Sequence, residues 1–475
     1  MNSPPLRRLV GVLGGAFVAV AAVGVIVDPA ASGRSVGAVS APLLSARRAP
    51  QVLRVAIGRQ QLAAQVDTIV GDTSFAEARP QSCLLATIDG GTVFADGADR
   101  SVTPASTLKV LTAATALSVI APGTTFVTEA RATQAPASGI LAGDLWLVGG
   151  GDPLLETADY TLTQGHTAGI ATKLETLADG VVAAGVTRIE GSVVGDDRRY
   201  DDKRVVDTWK RGYLASGEVG PIGALSINDN FTVRNARNRR TAATDVPRDA
   251  ASEFAGLLVE RGVSISGRPR GAVGSDPAPA SAAPHVVASI ESAPIETIVQ
   301  EVLVWSDNTA AEMLLKETGF RTAQEPGSTT NGVQAVRSYL KGRALGTYSA
   351  VDGSGLDRSD KVTCRVLAGV LAAAGRSSAL AAALPVMGES GTLRRRLLGD
   401  EAQGRVRAKT GTLDGVSSLA GYADTADGGS AVFAFVGNNL ASTATGVIIA
   451  NRVVQALVRF PDAPSEPALG LDTKR

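Results

Sequence analysis

The sequence predicts a multi-domain α/β protein in which a separate α+β segment is inserted. Three observations predict it. A strand-like hairpin near residue 90 and three strand-like runs after residue 405 stand at opposite ends of the chain. A helix starting at Thr103-Pro104 is apolar on nearly all sides (Leu108, Val110, Leu111, Leu117, Val119), which places it in the middle of a domain. Between about 126 and 295 the pattern changes, and a helix–glycine–strand plan occurs there twice.

Length and composition bound the rest. The 475 residues are 44% hydrophobic and only 4% aromatic, enough for two or three packed domains but poor in stacking surfaces. Lys+Arg and Asp+Glu are both 46, and basic runs are confined to short clusters such as Arg237–Arg240 and Arg394–Arg396. Counter-ion release would contribute little, so no nucleic-acid partner is expected. Cys83 and Cys364 are the only cysteines, too few for a metal quartet or a disulfide scaffold. A single long-range bridge is open to them after export, but the apolar run Cys83-Leu84-Leu85-Ala86 favours two buried thiols.

At the N-terminus, Arg7 and Arg8 precede 19 uncharged residues, Leu9 to Val27. This is the pattern of an export signal, and the same length could span a bilayer as an uncleaved anchor. No cysteine follows it closely, which argues against a lipid anchor, and either way the rest of the chain is expected outside the cytoplasm. Residues 1–50 are assigned to this signal or anchor and a tether rich in Ala, Ser, Pro and Arg.

The elements follow in order. A strand from Ser82 to Ile88 turns at Asp89-Gly90-Gly91 into Thr92-Val93-Phe94. Thr103 is expected as N-cap and Pro104 at the first helical position of a helix running to about Ile120. In the insert, Thr125–Thr133 and Gly139–Leu147 alternate as strands, Lys173–Ala184 and Arg248–Arg261 read as helices, and a strand over Arg188–Val194 follows the first helix. Residues 272–284 read as a loop. Helices are expected over Ile295–Val304, Thr309–Lys316, Arg365–Ala374 and Leu393–Leu398. Strands over Val406–Thr410, Ser417–Ala423 and Ser430–Gly437, joined by Asp-Gly turns, precede a last helix over Ala444–Val458. The tail 461–475 is expected to be disordered.

Three short motifs carry the chemistry: Ser106-Thr107-Leu108-Lys109, Ser306-Asp307-Asn308 and Lys409-Thr410-Gly411. Alone, the first is a spacing that any helix contains, and its plain reading is a capping Ser with a solvated Lys. Here Ser106 and Lys109 fall three apart on an otherwise apolar helix. A buried Lys must find a partner or lose its charge, and a neutral amine beside a hydroxyl is a general base beside a nucleophile. Only His166 and His285 exist, in segments with no serine motif nearby, so a Ser-His-Asp triad has little to be built from. Ser306 and Asn308 sit in a helix-to-helix turn that Asp307 or Asn308 can cap. Gly411 would let a substrate backbone approach, and the hydroxyls with Lys409 could hold a carboxylate.

Together, in this order, the motifs resemble those of the penicillin-binding protein and serine β-lactamase superfamily. Ser306 follows Ser106 by 200 positions and Lys409 follows Ser306 by 103, so a long insert separates the first two motifs. That spacing is similar to peptidase family S13, the DacB or penicillin-binding protein 4 type of D-alanyl-D-alanine carboxypeptidase/endopeptidase. Gly143–Pro153, Asp352–Leu356 and Gly391-Thr392-Leu393 add to the resemblance, which covers roughly 55–460. It implies a transpeptidase-like catalytic domain, an antiparallel sheet flanked by helices, built from 51–125 plus 296–460, with 126–295 as an inserted α+β domain. Members often carry a third domain nested in the insert. Here the chain passes from Leu225–Asn230 to the Arg248 helix quickly, so that domain is expected to be trimmed or absent.

The resemblance implies roles. Lys109, kept partly neutral by burial and by Lys409, would take the proton of Ser106. Ser306 would relay a proton to the leaving amine and Asn308 would hold the substrate amide. Lys409, Thr410 and Thr412 would bind the terminal carboxylate, with Ser106 and Thr412 N–H groups as oxyanion hole. Arg358 is a further candidate for the stem peptide's charged end, with a plain surface Arg as the other reading. Partners would be peptidoglycan stem peptides ending in D-Ala-D-Ala and β-lactam antibiotics, with no cofactor and no metal, and membrane contact only through the N-terminal segment. A serine β-lactamase, or a weakly catalytic β-lactam- or peptidoglycan-binding protein, stands as the alternative.

Overall fold

Both ends of the chain build one sheet. Its order is Val406–Leu413, Val416–Asp424, Ser430–Gly437, Cys83–Ile88, Gly91–Asp96, and every neighbouring pair is antiparallel. The computed structural model describes residues 49–160, 169–234 and 239–463. The export segment, His166 and most of the expected disordered tail lie outside them. Among the described residues no helix is long and apolar enough to cross a membrane.

Strand periodicity divides this sheet between two cores. Cys83, Leu85, Ala420, Tyr422, Ala434 and Val436 face the helices Lys109–Val119, Ile295–Trp305, Asn308–Ala323, Thr329–Gly342 and Cys364–Ala374. Leu84, Ala86, Leu419, Phe433 and Phe435 face the other way, onto the helices Ala49–Val70 and Thr443–Arg459. The first strand is tied to a helix of the first layer by a Cys83–Cys364 disulfide, with Cα atoms 5.8 Å apart. This corrects the expectation of two thiols. An apolar run says that a cysteine is buried, but not that a second one lies beside it.

Other expectations shift locally. Thr103 is not an N-cap, because its hydroxyl donates to the Arg358 carbonyl. The chain instead makes a 3₁₀ turn over Ala105–Leu108, and the α-helix begins at Lys109. Leu393–Leu398 is not a helix; only Gly391–Leu393 turns, also as 3₁₀. The helices Ala49–Val70 and Thr329–Gly342 had not been expected, nor had the short ones Gly212–Ser216 and Ala379–Ala382.

The segment between Phe126 and Ser292 carries its own sheet, ordered Arg270–Gly271, Val193–Asp196, Leu145–Val148, Val127–Ala132, His285–Glu291, and its own apolar cluster. The repeated plan is visible in it. The helices Leu174–Ala183 and Val246–Glu260 each end before a glycine in the left-handed region, Gly185 and Gly262. Each then feeds a short strand, and the two strands pair in parallel, Ser264 with Arg188 and Ile265 with Ile189. The expected strand over Arg188–Val194 is therefore two, Arg188–Ile189 and Val193–Asp196, and the 272–284 loop contains one turn of helix, Pro279–Ala282. Where a nested third domain would start, the chain makes only the ribbon Phe231–Arg234 with Arg239–Ala242 before the next helix.

Residues 197–222 of this segment pack on the helix Asn308–Ala323. Arg199 grips the buried Glu317 carboxylate with two bonds of 2.8 Å, and buried Lys316 pairs with Asp201. Trp209 Nε1 donates to Asp352 at 2.8 Å, and the Gly220 N–H to Thr309 at 2.9 Å.

Candidate active site

The three motifs meet at one cleft of about 680 Å³, lined by Ser106, Ser306, Asn308, Thr410, Gly411 and Thr412 among others. Ser106 sits in the 3₁₀ turn and Lys109 opens the helix that follows, so a span of three residues brings their side chains together. Lys109 Nζ lies 3.0 Å from Ser106 Oγ, 2.6 Å from Asn308 Oδ1 and 2.8 Å from the Ser354 carbonyl. Three acceptors match the three hydrogens of an ammonium. When one proton leaves, the bond to Ser106 can reverse, with the hydroxyl donating to the amine.

Lys109 is fully buried. Burial pushes its ammonium down to about 8, against the pull of Asp352, Glu312, Asp307 and Glu218. Lys409 is buried as completely, and its Nζ donates to the Thr410 carbonyl at 2.9 Å. Burial holds it well below its ordinary range, and the charge of Lys109 pushes in the same direction. Repulsion between two buried ammonium groups falls on whichever holds its proton less well. The carboxylates surround Lys109, and its charge in turn disfavours that of Lys409.

The second motif is a hinge between two helices. Ser306 ends the first in the left-handed region, φ 64°, and Asp307 caps the second by accepting from the Ala310 N–H at 2.9 Å. Asn308 is engaged at both ends of its amide, accepting from Lys109 and donating to the Glu218 carbonyl at 2.7 Å. Both ends of the amide are thus held by the protein while the side chain still lines the cleft.

The third motif lies on the edge strand of the sheet. Ala408 donates outward to the Pro385 carbonyl, and the ladder alternation turns the N–H groups of Thr410 and Thr412 to the same edge. Gly411 faces inward: a side chain there would strike Ser418 Oγ and come within 2.9 Å of the Ser106 nitrogen. The space its missing side chain leaves is filled by the nucleophile's backbone, not by a substrate. Arg358 is exposed at the rim, donating to the Asp414 carbonyl at 2.6 Å. His285 begins a strand of the inserted segment, half-buried.

Several cleft residues carry no motif. Lys210, Tyr213 and Glu218 come from the inserted segment, and Trp305 and Thr392 are also part of the wall. Thr392 Oγ1 lies 2.9 Å from Thr410 Oγ1. The Asp352–Leu356 stretch proves to be the floor. Glu312 accepts from the Gly353 and Ser354 N–H groups at 2.9 and 2.8 Å, and so holds the Ser354 carbonyl against Lys109. Among the described residues no cluster of His, Cys, Asp or Glu is arranged to hold a metal.

The family described as D-Ala-D-Ala carboxypeptidase 3 (S13) matches residues 62–248 and 232–459. A D-alanyl-D-alanine carboxypeptidase of Actinomadura is 29% identical over 435 residues, covering 76% of this chain and 78% of the relative. Penicillin-binding protein 4 (dacB) of Haemophilus influenzae shares the fold at a TM-score of 0.70 and 20% identity, covering 83% of this chain and 99% of that one. The same protein complexed with a β-lactam matches at 0.62, with the same identity and coverage. With its serine, its buried lysine and this match over most of its length, the chain belongs to the D-Ala-D-Ala carboxypeptidase 3 (S13) family and is an enzyme of its serine-type carboxypeptidase class.

Proposed function

We propose that the enzyme removes D-Ala from the D-Ala-D-Ala end of peptidoglycan stem peptides through an acyl-enzyme on Ser106. The observation that carries this is the 3.0 Å contact between Ser106 Oγ and a fully buried lysine whose proton is loosened toward neutrality. Lys109, once neutral, takes the Ser106 proton as Oγ attacks the penultimate carbonyl. The N–H groups of Ser106 and of Thr412, which the ladder turns to the open edge, receive the oxyanion. Ser306 passes a proton to the leaving amine, and water then cleaves the ester. Asn308 serves this step by holding Lys109. A crosslinked D-amino acid leaving in place of free D-Ala makes the same chemistry an endopeptidase. β-Lactams acylate the same serine and leave slowly, in keeping with the complex of the Haemophilus relative. The reaction takes place outside the cytoplasm, with residues 126–295 acting as an inserted domain that walls the cleft.

Intact-mass spectrometry of the chain after benzylpenicillin treatment tests this. A lasting single adduct on the Ser106 peptide, missing in Ser106→Ala, is expected. An adduct lost within seconds would mark a β-lactamase instead. Labelling that survives in Ser106→Ala would sink the nucleophile assignment.

A further inference from the structure

The substrate proposed above ends in a carboxylate, and a site that selects a free chain end meets it with charge-assisted donors. The third motif offers its lysine for that purpose. Yet Lys409 is 0% exposed, and its Nζ is bonded to the Thr410 carbonyl. Burial and the neighbouring Lys109 both work against its charge. With Lys409 shut away from solvent, an incoming carboxylate first meets a cation at the rim.

The Gly391–Leu393 turn brings one. Gly391 has φ 51°, and a side chain there would collide with the Val304 carbonyl, so the turn is pressed against the end of the helix Ile295–Trp305. Thr392 lines the cleft with its hydroxyl on that of Thr410. Arg394 then lies over the ring of Trp305, 5.7 Å from the guanidinium carbon to the centroid, and its Nη1 donates to the Gly391 carbonyl at 3.1 Å. Trp305 lines the cleft as well, immediately before Ser306. The stack and the bond fix the plane of the guanidinium while Arg394 remains exposed, which suits it to a carboxylate arriving from solvent. Of the other cations, Arg358 donates to the Asp414 carbonyl. Lys210 is exposed and lines the cleft from the opposite, inserted segment, so it is the competing cation that the test has to separate from Arg394.

We propose that Arg394 and Thr392 recognise the substrate's terminal carboxylate, Arg394 supplying the positive charge and Thr392 adding its hydroxyl to that of Thr410. This rests on the carboxypeptidase reading.

The test compares kcat/KM for a diacylated Lys-D-Ala-D-lactate depsipeptide with that for the same compound bearing a lactamide end. Arg394→Ala should lower the value for the acid about 10- to 100-fold and change that for the amide by less than about twofold. Arg394→Lys should restore part of the loss, and Thr392→Val should show a smaller loss of the same kind. Equal losses on both compounds would reveal a purely structural role for the stack on Trp305 and overturn the proposal. So would an unchanged acid rate, or loss of the acid preference in Lys210→Ala instead. Wild-type enzyme that neither turns over the acid nor takes up benzylpenicillin would fail the carboxypeptidase reading itself, and this proposal with it.

Discussion

Replacing Gly411 by Ala probes how the third motif supports the first. The added carbon would sit 2.9 Å from the Ser106 nitrogen and 3.0 Å from the Pro104 carbonyl, and would clash with Ser418 Oγ. The hydroxyl cannot simply turn aside, since it donates to the Pro104 carbonyl at 2.7 Å and so holds the turn that carries Ser106. Restoring ordinary contact therefore needs the turn to retreat by about half an ångström or more. A misplacement of about 1 Å costs about 100-fold in rate, so acylation should slow about 10- to 100-fold. Overpacking of this kind costs about 1–3 kcal/mol, too little to unfold a domain with two extensive apolar cores. Stopped-flow acylation by a fluorescent penicillin, with thermal unfolding alongside, reads both quantities. A folded variant acylating within about twofold of wild type would refute the idea that this contact positions the nucleophile.

Two further outcomes follow from the same geometry. Only neutral Lys109 can accept the Ser106 proton, so kcat/KM should rise with pH through about 8 and level off above it. A profile flat from pH 6 to 9 would mean that another base acts. Replacing Cys83 and Cys364 together by Ala removes a crosslink between residues 281 positions apart and should lower the unfolding free energy by about 2–5 kcal/mol. Urea unfolding of the two forms measures it, and an unchanged midpoint would show that packing alone holds that strand to its helix.

What was legible in the sequence was what short stretches dictate. Asp89-Gly90 reads as a hairpin because both residues must enter the left-handed region, and they do, at φ 48° and 78°. A cap at Asp307 or Asn308, of which the structure uses Asp307, and a strand over Ser430–Gly437 are legible for equally local reasons. The helix Ala49–Val70 was legible but unread: Val55, Gly58, Leu62, Val66 and Ile69 recur every three or four residues, and Gly58 is small because Pro461 packs on it. Thr329–Gly342 was obscured by Gly332, a poor helix former kept because the Leu315 carbonyl lies where its side chain would be. The disulfide, the Trp209–Glu218 wall and the Ser354 acceptor depend on segments many residues apart coming together, and no local pattern reports that.

The two lysines show why this matters for chemistry. In the motifs they look alike, each one charge beside hydroxyls, and the motif alone gives no reason for their pKa values to differ. The fold makes them different by delivering carboxylates to only one of them. Glu218 comes from the inserted segment, Asp307 and Glu312 from the second motif and its helix, and Asp352 from the floor. Four carboxylates from three segments of one chain thus raise the proton affinity of Lys109, while Lys409 Nζ is bonded to the Thr410 carbonyl. Removing any one of those carboxylates should therefore lower the Lys109 pKa rather than abolish its function.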